Sequence, residues 1–164
     1  MSNSGAPKER KRISSDEFQK DIEALCKGKI CWKVGRYLGS MLYFDIGESV
    51  NVKSVRSGVI KKGEISLGIR NVFWDIHYKG SSIIDSSYIE REHEHLLTKA
   101  FLGQKLELFI FLNDFVEIHF SGDHIIYVDT SNEYETEGNI LEISFHNRAI
   151  YEITCDAELY ASTY

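Results

Sequence analysis

Two short runs carry the residue types that acid–base chemistry needs. In FVEIHFSGDHII, residues 115–126, Glu117 and His119 stand two apart; in FWDIHYKGSSII, residues 73–84, Asp75 and His77 do the same. Residues two apart on a strand share a face. Each carboxylate would then stand beside an imidazole it can orient, as for a general base. The runs align at an offset of 42 with six of twelve positions identical. What repeats is the apolar alternation, the glycine turn and the closing Ile-Ile, all of which a β-meander needs. No Ser or Cys stands beside either pair in a nucleophile motif. Both pairs lie opposite an apolar face, formed by Trp74, Ile76 and Tyr78 in one copy and by Val116, Ile118 and Phe120 in the other. They are therefore read as cross-strand polar pairing on a solvated or partly covered face, and the chain is not expected to be an enzyme.

Other chemistry-bearing patterns fail on spacing. His93 and His95 in EREHEH, residues 90–95, fall in a segment with helical apolar spacing. Residues two apart on a helix point in nearly opposite directions, so they cannot converge on one ion. Cys26 and Cys31 lack a second ligand pair. No metal and no cofactor is expected. Gly35, Gly39 and Ser40 hint at a phosphate loop, but the lysine that loop requires after Gly39 is missing. The glycines are instead expected to serve a turn or close strand packing.

Charge is unevenly distributed. The net charge is −6, yet residues 1–62 hold 13 Lys/Arg against 7 Asp/Glu, and from Glu107 onward Arg148 is the one base among 12 acids. Phosphates would be repelled by that second half. Nucleic acid is thus expected only at the basic N-terminal tail, through KERKR at 8–12. The sharpest acidic patch is SNEYETEG, 131–138. Asp129, Glu133, Tyr134, Glu135 and Glu137 are the candidate partner-binding residues: carboxylates to steer a basic protein and an aromatic anchor. The N-terminus has no apolar segment behind its charges. No apolar run approaches the length of a membrane helix. Three cysteines make an odd number. Together these point to a cytoplasmic protein.

The elements that must position these residues follow from periodicity. Residues 1–13 are read as a flexible basic tail and 14–164 as a single domain. Ser14 to Glu17 fits a capping box, and Phe18, Ile22 and Leu25 make a helical stripe ending near Gly28. Alternation predicts strands at 30–34, 40–46, 63–70, 72–78, 105–112, 115–120, 124–130, 140–146 and 149–155. Residues 47–62 are read as a strand plus a basic loop. Residues 86–101 are read as a helix capped by Ser86 or Ser87. The expected fold class is α+β, mainly antiparallel β, with two related β-meanders (repeat 63–85 and 105–127). They would form one sheet or a sandwich, with two packed helices.

GSMLYFDIGE at 39–48, GEISLGI at 63–69 and the W-x-I of Trp74 to Ile76 together resemble a loose family of small, mostly uncharacterised bacterial proteins. The likeness is best over 35–76, and GQKLELFIF at 103–111 resembles the G-Q-x-L that often follows. Such proteins look like cytosolic immunity or accessory proteins carried with toxin systems. The shared residues are mostly apolar or Gly, so the resemblance implies fold and transfers no catalytic residue. The expected function is an immunity-type protein that occludes a basic toxin domain. The alternative is a small hydrolase or ligand-binding protein using the sheet histidines.

Overall fold

The computed structural model describes residues 9–37, 40–70, 72–87, 94–131, 138–146 and 148–163. In chain order these residues form β1 (Glu9–Arg12), α1 (Ser15–Cys26), β2 (Cys31–Arg36), β3 (Leu42–Ser54), β4 (Gly58–Ile69), β5 (Trp74–Tyr78) and β6 (Ser81–Asp85). Then come α2 (Glu94–Phe101), β7 (Leu106–Phe111), β8 (Phe115–Phe120), β9 (His124–Asp129), β10 (Asn139–Phe145), β11 (Ala149–Thr154) and β12 (Leu159–Thr163). The strands make two antiparallel sheets. One has the order β1-β12-β11-β10-β4-β3-β2 and the other β6-β5-β9-β8-β7. No helix of the described residues is long and apolar enough to cross a membrane.

Alternation decides which face of each sheet turns inward. Phe44 and Ile46 of β3, Ile65 and Leu67 of β4, and Val116, Ile118 and Phe120 of β8 are all buried in one core. The two inner faces meet where Phe44 stacks on Phe120, ring centroids 5.6 Å apart. Phe101 of α2 closes on both rings, at 5.3 and 4.9 Å. At another point Phe18 of α1 sets its edge against Phe111 of one sheet and Tyr151 of the other. The sheets are also stitched at a corner. Residues 28–31 run antiparallel to 103–106, with Gly28 N–H donating to Leu106 O, Leu106 N–H to Lys29 O, Cys31 N–H to Gln104 O and Gly103 N–H to Cys31 O.

Helix α1 takes Ser14 as its N-cap as expected, but only that half of the capping box forms. The Ser14 hydroxyl accepts the Glu17 N–H at 3.1 Å, which satisfies one of the donors orphaned at a helix start. The Glu17 carboxylate lies 3.8 Å from Lys11. Phe18, Ile22 and Cys26 are buried. Burial pushes the thiols of Cys26 and Cys31 up to about 12, so both are inert in the folded protein.

Four expectations are corrected. Residues 9–12 of the predicted flexible tail form edge strand β1 on β12, and the Ile13 N–H donates to Leu159 O. Arg10 pairs there with Glu152 at 2.9 Å, Arg12 with Glu158 at 3.0 Å, and Arg10 lies over the Tyr160 ring. Residues 1–8 lie outside the described residues. The first repeat is not one continuous meander, because β4 pairs with β3 and β10 while β5 and β6 sit in the other sheet. Ser86 and Ser87, read as the start of the second helix, form a turn. The Asp85 carboxylate accepts both the N–H and the hydroxyl of Ser87, which ends β6 in an Asx turn; residues 88–93 lie outside the described residues. Finally, 47–62 holds the expected strand, but the expected basic loop is a second strand: after a bulge between Ile46 and Ser49, β3 and β4 continue as a paired arm with its tip at residues 55–57.

Asp45 anchors that bulge. It is 6% exposed, and its Oδ1 accepts the Gly63 N–H at 3.0 Å and the Ser66 hydroxyl at 3.2 Å. The expectation of close packing at Gly35 is met as well. The Tyr43 ring lies where a Cβ on Gly35 would fall, its hydroxyl 2.5 Å from that point.

Candidate functional site

The acid–His pairs stand on the outer face of the five-stranded sheet. The register sets Asp75 and Glu117 on either side of Tyr127, and His77 and His119 on either side of Ile125. Each histidine bonds within its own strand: His77 Nε2 donates to Asp75 Oδ2 at 2.8 Å, and His119 Nε2 to Glu117 Oε2 at 2.7 Å. The acid–His bonds therefore run along the strand, and the predicted cross-strand pairing is seen at Asp75, which Ser82 reaches from β6. Trp74, Ile76, Val116, Ile118 and Phe120 face the core as expected. Tyr78, expected with them, is 39% exposed because β5 ends there and its ring stacks on His124 instead.

The Ser82 hydroxyl donates to Asp75 Oδ1 at 2.6 Å. Asp75 is thus the hub of a Ser–Asp–His set. A hydrolytic triad needs the histidine in the middle, taking the serine proton. The geometry orients two imidazoles; it does not present a serine to either.

The next row along the same face holds Asp129, between Phe115 in register and Phe73, whose carbonyl accepts the Asp129 N–H at 2.9 Å. Asp129 Oδ1 accepts the N–H and hydroxyl of Ser131 at 2.8 and 2.6 Å. A cleft of about 390 Å³ opens here, lined by Phe73, Asp75, Asp114, Phe115, Tyr127, Asp129 and Ser131. No Lys or Arg is among these lining residues. The Tyr127 phenol titrates above its usual range, first because it is partly buried, then because Glu117 and Asp75 flank it. The arrangement suits a cation: carboxylates for its charge and aromatic faces for its flank.

Of the predicted partner-binding residues, Asp129 lies in this cleft, while Glu133, Tyr134, Glu135 and Glu137 lie outside the described residues. Asp75, Asp114, Phe73 and Phe115 were not expected to join Asp129. The strand repeat carries a signal for them, since Phe73 and Phe115 are its first positions and β9 separates the two copies. No group of His, Cys, Asp and Glu among the described residues is arranged to hold a metal. His95 is exposed on α2.

His124, at the start of β9, supplies a pH response. Its ring stacks on Tyr78 at 4.8 Å and tilts against Phe101 at 5.7 Å. Burial disfavours its charged form and holds its pKa below the usual 6.5, against a smaller opposing pull from Asp123 and nearby backbone. The unfolded chain takes up the proton first as pH falls through about 6.5, so stability declines below that value and is regained above it. His124→Gln is expected to make the urea midpoint less steep in pH between about 7 and 5; an unchanged slope would assign the response to other groups.

The chain matches no protein-family model, and no curated protein or solved structure matches it.

Proposed function

We propose that the protein is an immunity-type binding protein, acting in the cytoplasm, that neutralises a basic toxin domain by covering it. The observation that carries this reading is the cleft of Asp75, Asp114 and Asp129 walled by Phe73, Phe115 and Tyr127. It offers charge for steering and aromatic faces for a desolvated contact, and its lining residues Asp129 and Ser131 stand just before the acidic run 133–137 in the sequence. The resemblance over 35–76 supports the same class. The β5–β6 and β8–β9 hairpins are further inferred to be copies of one unit, since both carry an acid–His pair with the same in-strand bond.

The test is capture of the toxin domain encoded beside the gene. The double change Asp114→Lys and Asp129→Lys is expected to weaken that binding at least tenfold, about 1.4 kcal/mol. Raising salt should weaken the wild-type complex, chiefly by slowing association. Full affinity in the double variant would remove the cleft from the interface, and failure to bind the neighbouring toxin would remove the function.

A further inference from the structure

A second concavity lies on the outer face of the seven-stranded sheet. Its floor is low because small residues occupy it. Gly68 pairs with Tyr43 in register, and Ser66 and Ser144 are paired beside it. The β3–β4 arm forms the other wall, with the cross-strand partners Val52 and Ile60 lining the space. The enclosed volume is about 700 Å³.

Its charge opposes that of the whole chain. Lys33, Arg56, Lys61, Lys62 and Arg70 line it, against Asp45 and Glu142. Both acids are engaged, Asp45 with Gly63 and Ser66, and Glu142 with Arg70 at 3.4 Å. Among the described residues no carboxylate lies within ion-pair distance of Lys33, Arg56, Lys61 or Lys62. All four are exposed. A small domain with net charge −6 has no need of four unpaired cations around one cleft for solubility.

Two aromatic rings stand at one end. Tyr37 is 62% exposed and packs edge-on against Tyr43 at 5.8 Å. A cationic groove with an exposed aromatic at its end fits a phosphate backbone whose bases stack. An acidic peptide would use the cations and leave the tyrosine idle. We propose that this cleft binds single-stranded nucleic acid, with Lys61, Lys62, Arg56 and Lys33 on phosphates and Tyr37 stacking a base. The N-terminal cations compete poorly for that role, because Arg10 and Arg12 are held by Glu152 and Glu158. This site is independent of the acidic cleft on the other sheet.

The experiment is fluorescence anisotropy of the full chain with a labelled oligouridylate of about 12 nucleotides, over a salt series. Binding should weaken with salt at a log–log slope of about −0.7 for each phosphate contact. Lys61→Glu with Lys62→Glu should lower affinity at least tenfold and flatten that slope, with an unchanged melting temperature. Tyr37→Ala should weaken binding and keep the slope. Lys11→Glu, in β1, should bind as wild type. No binding by the wild-type chain would overturn the proposal. So would loss on Lys11→Glu alone, or equal binding of polyglutamate that ignores Tyr37→Ala, which would assign the cleft to an acidic polypeptide.

Discussion

Phe44→Ala is expected to cost the fold about 3–5 kcal/mol, the range for deleting a fully buried aromatic. The residue is 1% exposed and sits where three elements meet. Its ring stacks on Phe120 across the sheet interface and receives the edge of Phe101 from α2. Truncation removes the contact area and leaves a void bounded by two rings that already touch each other, at 4.9 Å. Those rings are held by different backbones, so they cannot collapse into the gap freely, and the cost should lie toward the upper end. Urea unfolding followed by tryptophan fluorescence measures it. At about 2–4 °C per kcal/mol for a chain of this size, the melting temperature should fall by roughly 10 °C. Phe44→Leu should lose much less, because it keeps most of the volume. A loss below about 1 kcal/mol in the alanine variant would mean that the sheets do not meet at this ring.

Gly63→Ala is expected to be strongly disruptive for the addition of one methyl group. A Cβ there would lie 2.5 Å from Ile46 N and 2.7 Å from the carbonyl oxygens of Ile46 and Ile65. These are backbone atoms on both sides, so no side chain can swing away to make room. Overpacking of this kind costs about 1–3 kcal/mol. The position also sets the direction of the arm, since its N–H is the donor that Asp45 holds at the bulge. The variant should therefore lose oligonucleotide affinity with every charge in the cleft retained. Asp45→Ala removes the same anchor from the other side and leaves the Gly63 N–H without that partner, so it should act in the same direction. If Gly63→Ala binds and melts as wild type, the arm is not fixed at this bulge.

The inward and outward faces of β8 and β11 were legible in the sequence, because burial of one face forces a period of two and a slip of one residue would invert it. Periodicity says nothing about which sheet a strand joins. That is why the 42-residue repeat read as two equal meanders, while the structure sends β4 to β3 and β10. Strand β1 was invisible for the opposite reason. ERKR has no apolar position, and its pairing rests on β12 and on ion pairs with residues about 140 positions away. The arm was hidden because Val50 and Val52 find their partners across a hairpin, not in the core. At the acidic cleft, Asp129 could be singled out by charge alone. Its companions Phe73 and Asp75 come from more than 50 residues upstream and are brought beside it by strand register.

The hydrogen-bonded corner between residues 28–31 and 103–106 gives the chain one continuous ladder, running from β1 through β2, across the corner to β7, and on to β6. Opening either sheet at that corner frees four hydrogen-bonded amides. The amides of Gly28, Cys31, Gly103 and Leu106 should then share the slow hydrogen exchange of the central strands, and the two sheets should lose their protection together as one foldon.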